Sequence, residues 1–167
     1  KAPYLIRKSA LSYSYSNQLA FADRRTRRRI QKARAGFAGF GLEYDDFTLN
    51  GLKGTGLDKL EGKTREMGRL KYSDDEVLAA AKILGGQAWV NQEATKATFL
   101  KQAGQSRILH LAMHALMDAQ YPLNSALIFS RAKDSTDFVL KASDIYNMQI
   151  EADLAVLSAC NTGFGSL

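Results

Sequence analysis

The sequence predicts an α/β fold in which a mainly parallel sheet is flanked by helices. Three short stretches, residues 38–42, 108–113 and 154–158, are apolar almost throughout, which is typical of strands buried on both faces of a sheet. Segments with helical periodicity lie between them, and this alternation favours parallel strands with helical connections. A length of 167 residues, 46% of them hydrophobic, predicts a single globular domain over residues 1–167.

The N-terminal part of the chain has weaker signals. Small polar residues alternate with apolar ones in LSYSYS, and a period of two indicates an extended segment. Ser16 or Asn17 can cap the helix that follows. A later segment rich in Gly, Asp and Thr shows little periodicity and is expected to be a loop. The predicted elements are extended segments at residues 4–6 and 11–16, a helix at 18–30, a strand at 38–42, and a loop at 43–70 with a short helix near 57–67.

The middle of the chain has clearer boundaries. The tetrapeptide SDDE at residues 73–76 has the Ser-x-x-Glu form of a capping box, and its acids suit the positive end of a helix dipole. An apolar stripe follows, and the Gly-Gly pair at residues 85–86 is expected to end the helix. The predicted elements are a helix from residue 74 to the Gly pair, a strand at 88–90, a helix at 95–102 and a strand at 108–113.

The C-terminal part is predicted to add three strands and one helix, with Ser143 as the cap of that helix. The predicted elements are strands at residues 126–129 and 138–140, a helix at 144–148 and a strand at 154–158. His114 directly follows one apolar strand, and Cys160 follows the last one. In parallel α/β sheets, sites form beyond the carboxyl ends of the strands, so both residues are expected at one edge of the sheet.

Composition argues against several classes of protein. No apolar run reaches the roughly 18 residues that a membrane span needs, and residues 1–10 lack the apolar core of a signal peptide. The protein is therefore expected to be cytoplasmic and to have no membrane partner. A single cysteine rules out an internal disulfide, and two histidines with one cysteine are poor material for a structural zinc site. No metal or organic cofactor is expected.

The net charge of +6 is concentrated in one segment. Residues 24–34 contribute seven positive charges and no acid, so the rest of the chain has a net charge of −1. We interpret the basic segment at 22–34 as a loop or an exposed helix face. Clustered Lys and Arg can also bind phosphates. However, no aromatic residue interleaves the arginines to stack a base, so direct nucleic-acid binding is the less favoured interpretation.

His114 and Cys160 form the candidate catalytic pair. A cysteine attacks as the thiolate, and an imidazole that titrates near neutrality is its natural partner. Peptide hydrolysis also requires hydrogen-bond donors for the oxyanion, and the backbone N–H groups of Ala115 and Cys160 are candidates. On residue types and order alone, a lone cysteine near a Gly-containing turn is more often a buried packing residue than a nucleophile, and a cysteine nucleophile with a histidine base is the functional alternative.

Three polar residues close to this pair are candidates for supporting roles. We interpret His110, which shares a strand face with His114, as a core or supporting histidine. We interpret Ser158 as a hydrogen-bonding residue at a strand end rather than a second nucleophile. Asp118 could orient groups near the site, although a solvated loop acid is its default interpretation.

Several strings in the chain resemble the CHAT domain. Residues 108–115 are ILHLAMHA, residues 125–130 are SALIFS, and residues 153–163 are DLAVLSACNTG. CHAT domains are caspase-like peptidases that are often found behind tetratricopeptide repeats in bacteria. The resemblance implies a caspase-like three-layer sandwich in which His114 is the catalytic histidine and Cys160 the nucleophile. Where the family usually has Gly after this histidine, the chain has Ala115, which keeps the N–H donor.

The resemblance also implies the surroundings of the site. In the family, further strands and helices after the cysteine loop complete the sheet and the substrate cleft, so the chain is expected to lack that C-terminal part. The implied function is a cysteine endopeptidase with protein or peptide substrates and with tetratricopeptide-repeat or other regulatory protein partners. The alternatives are a catalytically inactive CHAT-like interaction scaffold and a nucleic-acid-binding module that uses the Arg cluster.

Overall fold

The computed structural model describes residues 35–52, 55 and 69–158, which belong to one compact unit that begins at Ala35. Several predictions fall outside these residues: the segments at 4–6 and 11–16, the helix at 18–30, the basic segment at 22–34, the short helix near 57–67, and Cys160. The single domain over residues 1–167 therefore stays a prediction.

The described residues form seven strands and four α-helices. In chain order these are β1 (Ala35–Gly41), α1 (Asp46–Gly51), α2 (Ser73–Leu84), β2 (Gly86–Val90), α3 (Lys96–Ala103), β3 (Ser106–Ala112), β4 (Ala115–Leu116), β5 (Ala126–Ile128), β6 (Val139–Lys141), α4 (Ala142–Tyr146) and β7 (Leu154–Ser158). The three strands predicted at 38–42, 108–113 and 154–158 are confirmed as β1, β3 and β7, with ends that differ by at most three residues.

Within the described part of the chain, the larger sheet has four parallel strands in the order β2-β1-β3-β7. Leu109 of β3 is paired with Ala38 of β1 on one side and with Ala155 of β7 on the other. A smaller sheet, β4-β5-β6, is antiparallel. The sequence predicted β5 and β6, but it indicated neither β4 nor a separate sheet.

Helices cover both faces of the parallel sheet. Side chains alternate between the two faces along a strand, so Phe40 points to one face of β1 while Gly39 and Gly41 lie on the other. Phe99 of α3 packs against Phe40 with ring centroids 5.6 Å apart. Val77 of α2 lies against the two glycines on the opposite face. The predicted α/β sandwich, with a mainly parallel sheet flanked by helices, is confirmed.

The buried core lies on the α3 face and connects the two sheets. The rings of Phe40, Phe99 and Phe129 contact one another at centroid distances of 5.2 to 6.3 Å. All three side chains are almost completely buried, and Phe129 follows directly after β5. The antiparallel strands are therefore anchored to the parallel sheet by aromatic packing.

The predicted capping box at the start of α2 is wrong. Ser73 is the first residue of the helix, and its hydroxyl donates to the carbonyl of Leu70 at 2.9 Å. The cap position falls on Tyr72, which has a φ of 68° and no side-chain capping bond. The carboxylate of Glu76 therefore does not cap the helix and contacts His110 on β3 and Ser158 on β7 instead. The helix ends as predicted, at Gly85 with a φ of 69°.

Two other helix starts also differ from the prediction. Ser143 lies inside α4 rather than capping it, and the N–H of Lys141 donates to the carboxylate of Asp144 at 3.1 Å. Helix α1 occurs where a loop was predicted. Asp45 caps α1 by accepting a 2.8 Å hydrogen bond from the N–H of Thr48.

Candidate active site

The carboxyl ends of β3 and β7 lie side by side. The two strands are parallel neighbours, and Ala112 is paired with Ser158, the last residue of β7. His114 lies two residues beyond Ala112. Cys160 lies two residues beyond Ser158 in the sequence and is outside the described residues. The strand ends that precede the predicted pair are therefore at the same level of the sheet.

The backbone of His114 is held on both sides. Its N–H donates to the hydroxyl of Tyr44 at 2.8 Å, and its carbonyl accepts from the N–H of Ile128 at 3.1 Å. The Tyr44 hydroxyl in turn donates to the carbonyl of Ile128 at 2.5 Å. This closed ring of hydrogen bonds connects the segment after β1, the residue after β3 and strand β5, and it fixes the backbone from which the imidazole projects.

The imidazole of His114 also packs against the ring of Tyr44. The ring centroids are 4.4 Å apart, and His114 and Tyr44 are only 8% and 2% exposed. Burial raises the pKa of the Tyr44 hydroxyl far above its ordinary value of 10.0, although its hydrogen bond with the His114 backbone opposes the change. Tyr44 therefore stays protonated at neutral pH and keeps its hydroxyl proton for Ile128.

Ala115 occupies a non-hydrogen-bonded position of the antiparallel pair β4–β5. It lies opposite Leu127, while the neighbouring bond joins the N–H of Ile128 to the carbonyl of His114. At such positions the backbone N–H and C=O of the facing residues point away from the partner strand. The N–H of Ala115 therefore points away from β5, as an oxyanion donor would need to do.

The surroundings of His114 differ in polarity. Tyr44 lines a pocket of about 120 Å³ whose walls include the polar residues Asp45 and Asn91. Ala115 lines an apolar cavity of about 290 Å³ whose walls include Leu127 and Leu157. The site therefore has a polar wall at Tyr44 and an apolar wall at Ala115.

A carboxylate on α2 joins the two strands that lead to the site. Glu76 contacts the Nε2 of His110 through Oε1 at 2.8 Å, and its Oε2 accepts from the hydroxyl of Ser158 at 3.2 Å. A carboxylate can only accept in such a pair, so Nε2 of His110 carries the hydrogen. Two of the predicted supporting residues, His110 and Ser158, are thus brought together by a third residue, Glu76.

These three residues are not arranged as a hydrolytic triad. In a Ser-His-acid triad the imidazole lies between the hydroxyl and the carboxylate, so that it can take the hydroxyl proton. Here the carboxylate of Glu76 lies in the middle and bonds to both partners. This order can hold His110 and Ser158 in place, but it does not activate the Ser158 hydroxyl as a nucleophile.

Asp118 organises its own loop. Its carboxylate accepts hydrogen bonds from the N–H groups of Gln120 and Tyr121 and from the Asn124 amide, and its N–H donates to Ser125. The N–H of Tyr121 is the main cause that lowers the pKa of the Asp118 carboxyl below its ordinary value, against the effect of burial. Asp118 therefore braces the connection between β4 and β5, and its side chain contacts neither Glu76 nor His114.

A metal-binding cluster and a membrane-spanning helix are both absent from the described residues. Among residues 35–52, 55 and 69–158, no group of three or more His, Cys, Asp or Glu side chains is placed to bind a metal ion. In the same part of the chain, every helix is too short or too polar to cross a membrane.

Sequence reasoning missed Tyr44 and Glu76. Tyr44 follows the apolar strand β1 by three residues, so the rule that sites lie beyond strand ends could have identified it. Glu76 was interpreted as part of a capping box, and only the tertiary contact with β3 and β7 reveals its position. Neither residue has a local sequence pattern that indicates its partners.

The fold and the site together define a class: a three-layer α/β sandwich with polar residues gathered at the carboxyl ends of parallel strands. The chain belongs to the CHAT domain family, whose family model matches residues 1–167. This family is related to the caspase-like cysteine peptidases. A search of curated proteins found no match to the chain.

Proposed function

We propose that the chain supplies the catalytic residues of a cysteine endopeptidase that acts on protein or peptide substrates. The observation that carries the proposal is the register of β3 and β7, in which Ala112 is opposite Ser158. His114 and Cys160 each follow their strand by two residues in the sequence. Equal offsets along parallel neighbours favour two side chains at the same level of the sheet edge.

His114 acts as the base in this reaction. It takes the proton of the Cys160 thiol, and the thiolate attacks the carbonyl carbon of the scissile peptide bond. The N–H groups of Ala115 and Cys160 stabilise the oxyanion. The C–N bond breaks and the leaving amine takes the proton from His114. Water, deprotonated by His114, then hydrolyses the thioester and restores the thiol.

The geometry around His114 supports this role. A buried imidazole against the Tyr44 ring, on a backbone fixed by two hydrogen bonds, has little freedom to leave the site. Orientation of this kind accounts for a large part of catalytic acceleration. The outward N–H of Ala115, one residue away, supports the placement of an oxyanion site beside the base.

The proposed reaction uses only protein groups and water, so it requires no cofactor. The resemblance to CHAT domains supports a cytoplasmic bacterial enzyme that tetratricopeptide-repeat or other regulatory proteins control. These partners belong to the proposal, as does the preference for protein substrates over nucleic acid.

The test compares the full-length protein with its Cys160→Ala and His114→Ala variants on a panel of fluorogenic peptides. Loss of the nucleophile or of its base is expected to lower kcat on the order of 10³-fold or more. Cys160 is the single cysteine of residues 1–167, so within this part of the protein a mass-spectrometric search for a substrate-derived thioester has one position to examine.

Exchange of Asp75, an exposed acid on α2, for Asn provides a control that should retain full turnover. Equal turnover by the wild-type and Cys160→Ala proteins would refute the peptidase proposal. It would favour the alternative in which the domain is a non-catalytic interaction scaffold.

A further inference from the structure

We propose that Glu76 is a positioning residue that aligns the two strands leading to the catalytic pair. This inference rests on the peptidase function proposed above. It assigns to Glu76 no contact with the substrate. Its role is to hold β3 and β7 in the register in which Ala112 is opposite Ser158.

The contacts of Glu76 distribute its two oxygens between the two strands. Oε1 is 2.8 Å from His110 on β3, and Oε2 is 3.2 Å from Ser158 on β7. His110 lies four residues before His114, and Ser158 lies two residues before Cys160. Backbone hydrogen bonds between two strands can form in more than one register. A side chain that bonds to both strands favours one of these registers and resists a shift of one strand against the other.

The helix that carries Glu76 is held close to the sheet. Helix α2 packs over β1, where Gly39 and Gly41 leave space for Val77. Val77 is the residue after Glu76 and is completely buried, so the backbone at Glu76 cannot drift away from the sheet. The carboxylate is therefore presented to β3 and β7 from a rigid element.

The Glu76–His110 pair differs from an ordinary surface ion pair. The side chain of Glu76 is 43% exposed, but that of His110 is only 12% exposed, and the His110 ring also packs edge-on against Phe37. Because the Glu76 side chain is partly exposed, the contact is expected to contribute little to stability. We therefore expect the loss of Glu76 to affect the alignment of the site rather than folding.

The experiment uses the full-length protein with four variants: Glu76→Ala, Glu76→Gln, Ser158→Ala and, as the matched control, Asp75→Asn. Asp75 precedes Glu76 in the same first helical turn and is exposed as Glu76 is. The measurements are kcat and KM on the best peptide, the pH profile of Cys160 alkylation by iodoacetamide with peptide mapping, and circular dichroism.

Glu76→Ala is expected to lower kcat about 10- to 100-fold, because small displacements of reacting groups have effects of this size, with KM changed less than about twofold. The alkylation profile should move toward that of an ordinary thiol, near pH 8.5. Glu76→Gln should recover most of the loss, since its amide can accept from His110 and donate to Ser158. Ser158→Ala should have a smaller effect of the same kind, and Asp75→Asn none.

Two results would overturn the inference: a folded Glu76→Ala protein with wild-type kcat and alkylation profile, or an equal effect of Asp75→Asn. If Glu76→Ala does not fold, Ser158→Ala decides, and a wild-type kcat and alkylation profile in that variant also overturns it. Failure of the peptidase proposal looks different, because turnover would then survive in Cys160→Ala and the alkylation profile would not change in His114→Ala.

Discussion

At the scale of single residues, the position of His114 depends on a tyrosine that lies 70 residues earlier in the chain. Tyr44 uses its hydroxyl twice, once as an acceptor from His114 and once as a donor to Ile128. Both backbone groups are buried, so water cannot replace the hydroxyl at low cost. The same residue supplies the ring on which the imidazole rests. Tyr44 therefore contributes to stability and to the proposed catalytic geometry together.

Tyr44→Phe is expected to lower the free energy of unfolding by about 1–3 kcal/mol, because it leaves a buried donor and a buried acceptor without their partner. Peptidase turnover should fall as well, since the backbone of His114 loses one of its two fixing bonds. Urea denaturation measures the first effect and kcat the second. Tyr146→Phe, the same exchange at a residue that is 84% exposed, should change neither.

The difference between wild type and Tyr44→Phe should also depend on pH. Burial raises the folded-state pKa of Tyr44 above its unfolded value near 10. The unfolded chain therefore loses this proton first as pH rises, so the contribution of Tyr44 is complete below about pH 10 and declines above it. Denaturation at pH 8, 9, 10 and 11 should show the two proteins converging. A constant difference across this range would contradict the assignment.

The residues of the site could be predicted from the sequence only where a local pattern marks them. His114 and Cys160 stand after apolar strands and within strings that resemble a known family. Tyr44 also follows an apolar strand, but no local pattern indicates its partner His114, which lies 70 residues away. Glu76 has no such mark, and its partner Ser158 lies 82 residues away. Long-range hydrogen bonds of this kind depend on strand order and helix placement, which periodicity does not encode.

At the scale of elements, the contact between α2 and β1 depends on small residues. A Cβ at Gly41 would lie 2.8 Å from Cγ2 of Val77 and against the carbonyl of Ser73. Such distances are shorter than normal van der Waals contacts, so any larger residue would push the helix away from the strand. This is the contact that also keeps Glu76 near β3 and β7.

Gly41→Ala is therefore expected to destabilise the protein by about 1–3 kcal/mol through overpacking, as measured by thermal or urea unfolding. The matched control is Gly104→Ala at the end of α3. A Cβ there would meet its nearest neighbour at 3.7 Å, and the backbone has a φ of −81°, so stability should be unchanged or slightly increased. An equal loss of stability in the two variants would show that the α2–β1 contact does not require a residue without a side chain at Gly41.

Helix starts were the elements that the sequence predicted least well. Serine is a frequent cap residue, yet Ser73 and Ser143 both lie inside their helices, and the cap positions fall on Tyr72 and Lys141. Thr95 was predicted as the first residue of the helix at 95–102, but it caps α3 instead, by accepting from the N–H of Thr98 at 3.1 Å. A cap residue contributes only a small free energy to its helix, and packing of the helix against a sheet can override this contribution.

At the scale of the whole molecule, strand positions followed from the sequence but their pairing did not. Apolar runs identified β1, β3 and β7, as expected of strands covered on both faces, but β7 is not buried in this way, since Leu154 and Leu157 are 52% and 48% exposed. The order β2-β1-β3-β7 places β1 between two strands that come later in the chain. The hydrophobic pattern of each strand would be the same in any other order, so it does not indicate which strands are neighbours. Strand β4, with two residues, is too short to show any period, so the second sheet was not predicted.

The two sheets are expected to unfold as one cooperative unit, because the cluster of Phe40, Phe99 and Phe129 connects them. Phe99→Ala should lower the free energy of unfolding by about 3–5 kcal/mol, and amide exchange should accelerate to a similar extent in β3 and β5. Leu100→Ala, on the same helix but 46% exposed, should change stability by no more than about 0.5 kcal/mol. Faster amide exchange in β5 with unchanged protection in β3 would show that the two sheets unfold as independent units. The ring of hydrogen bonds around His114 connects both sheets. It would then have to open while the parallel sheet stays folded.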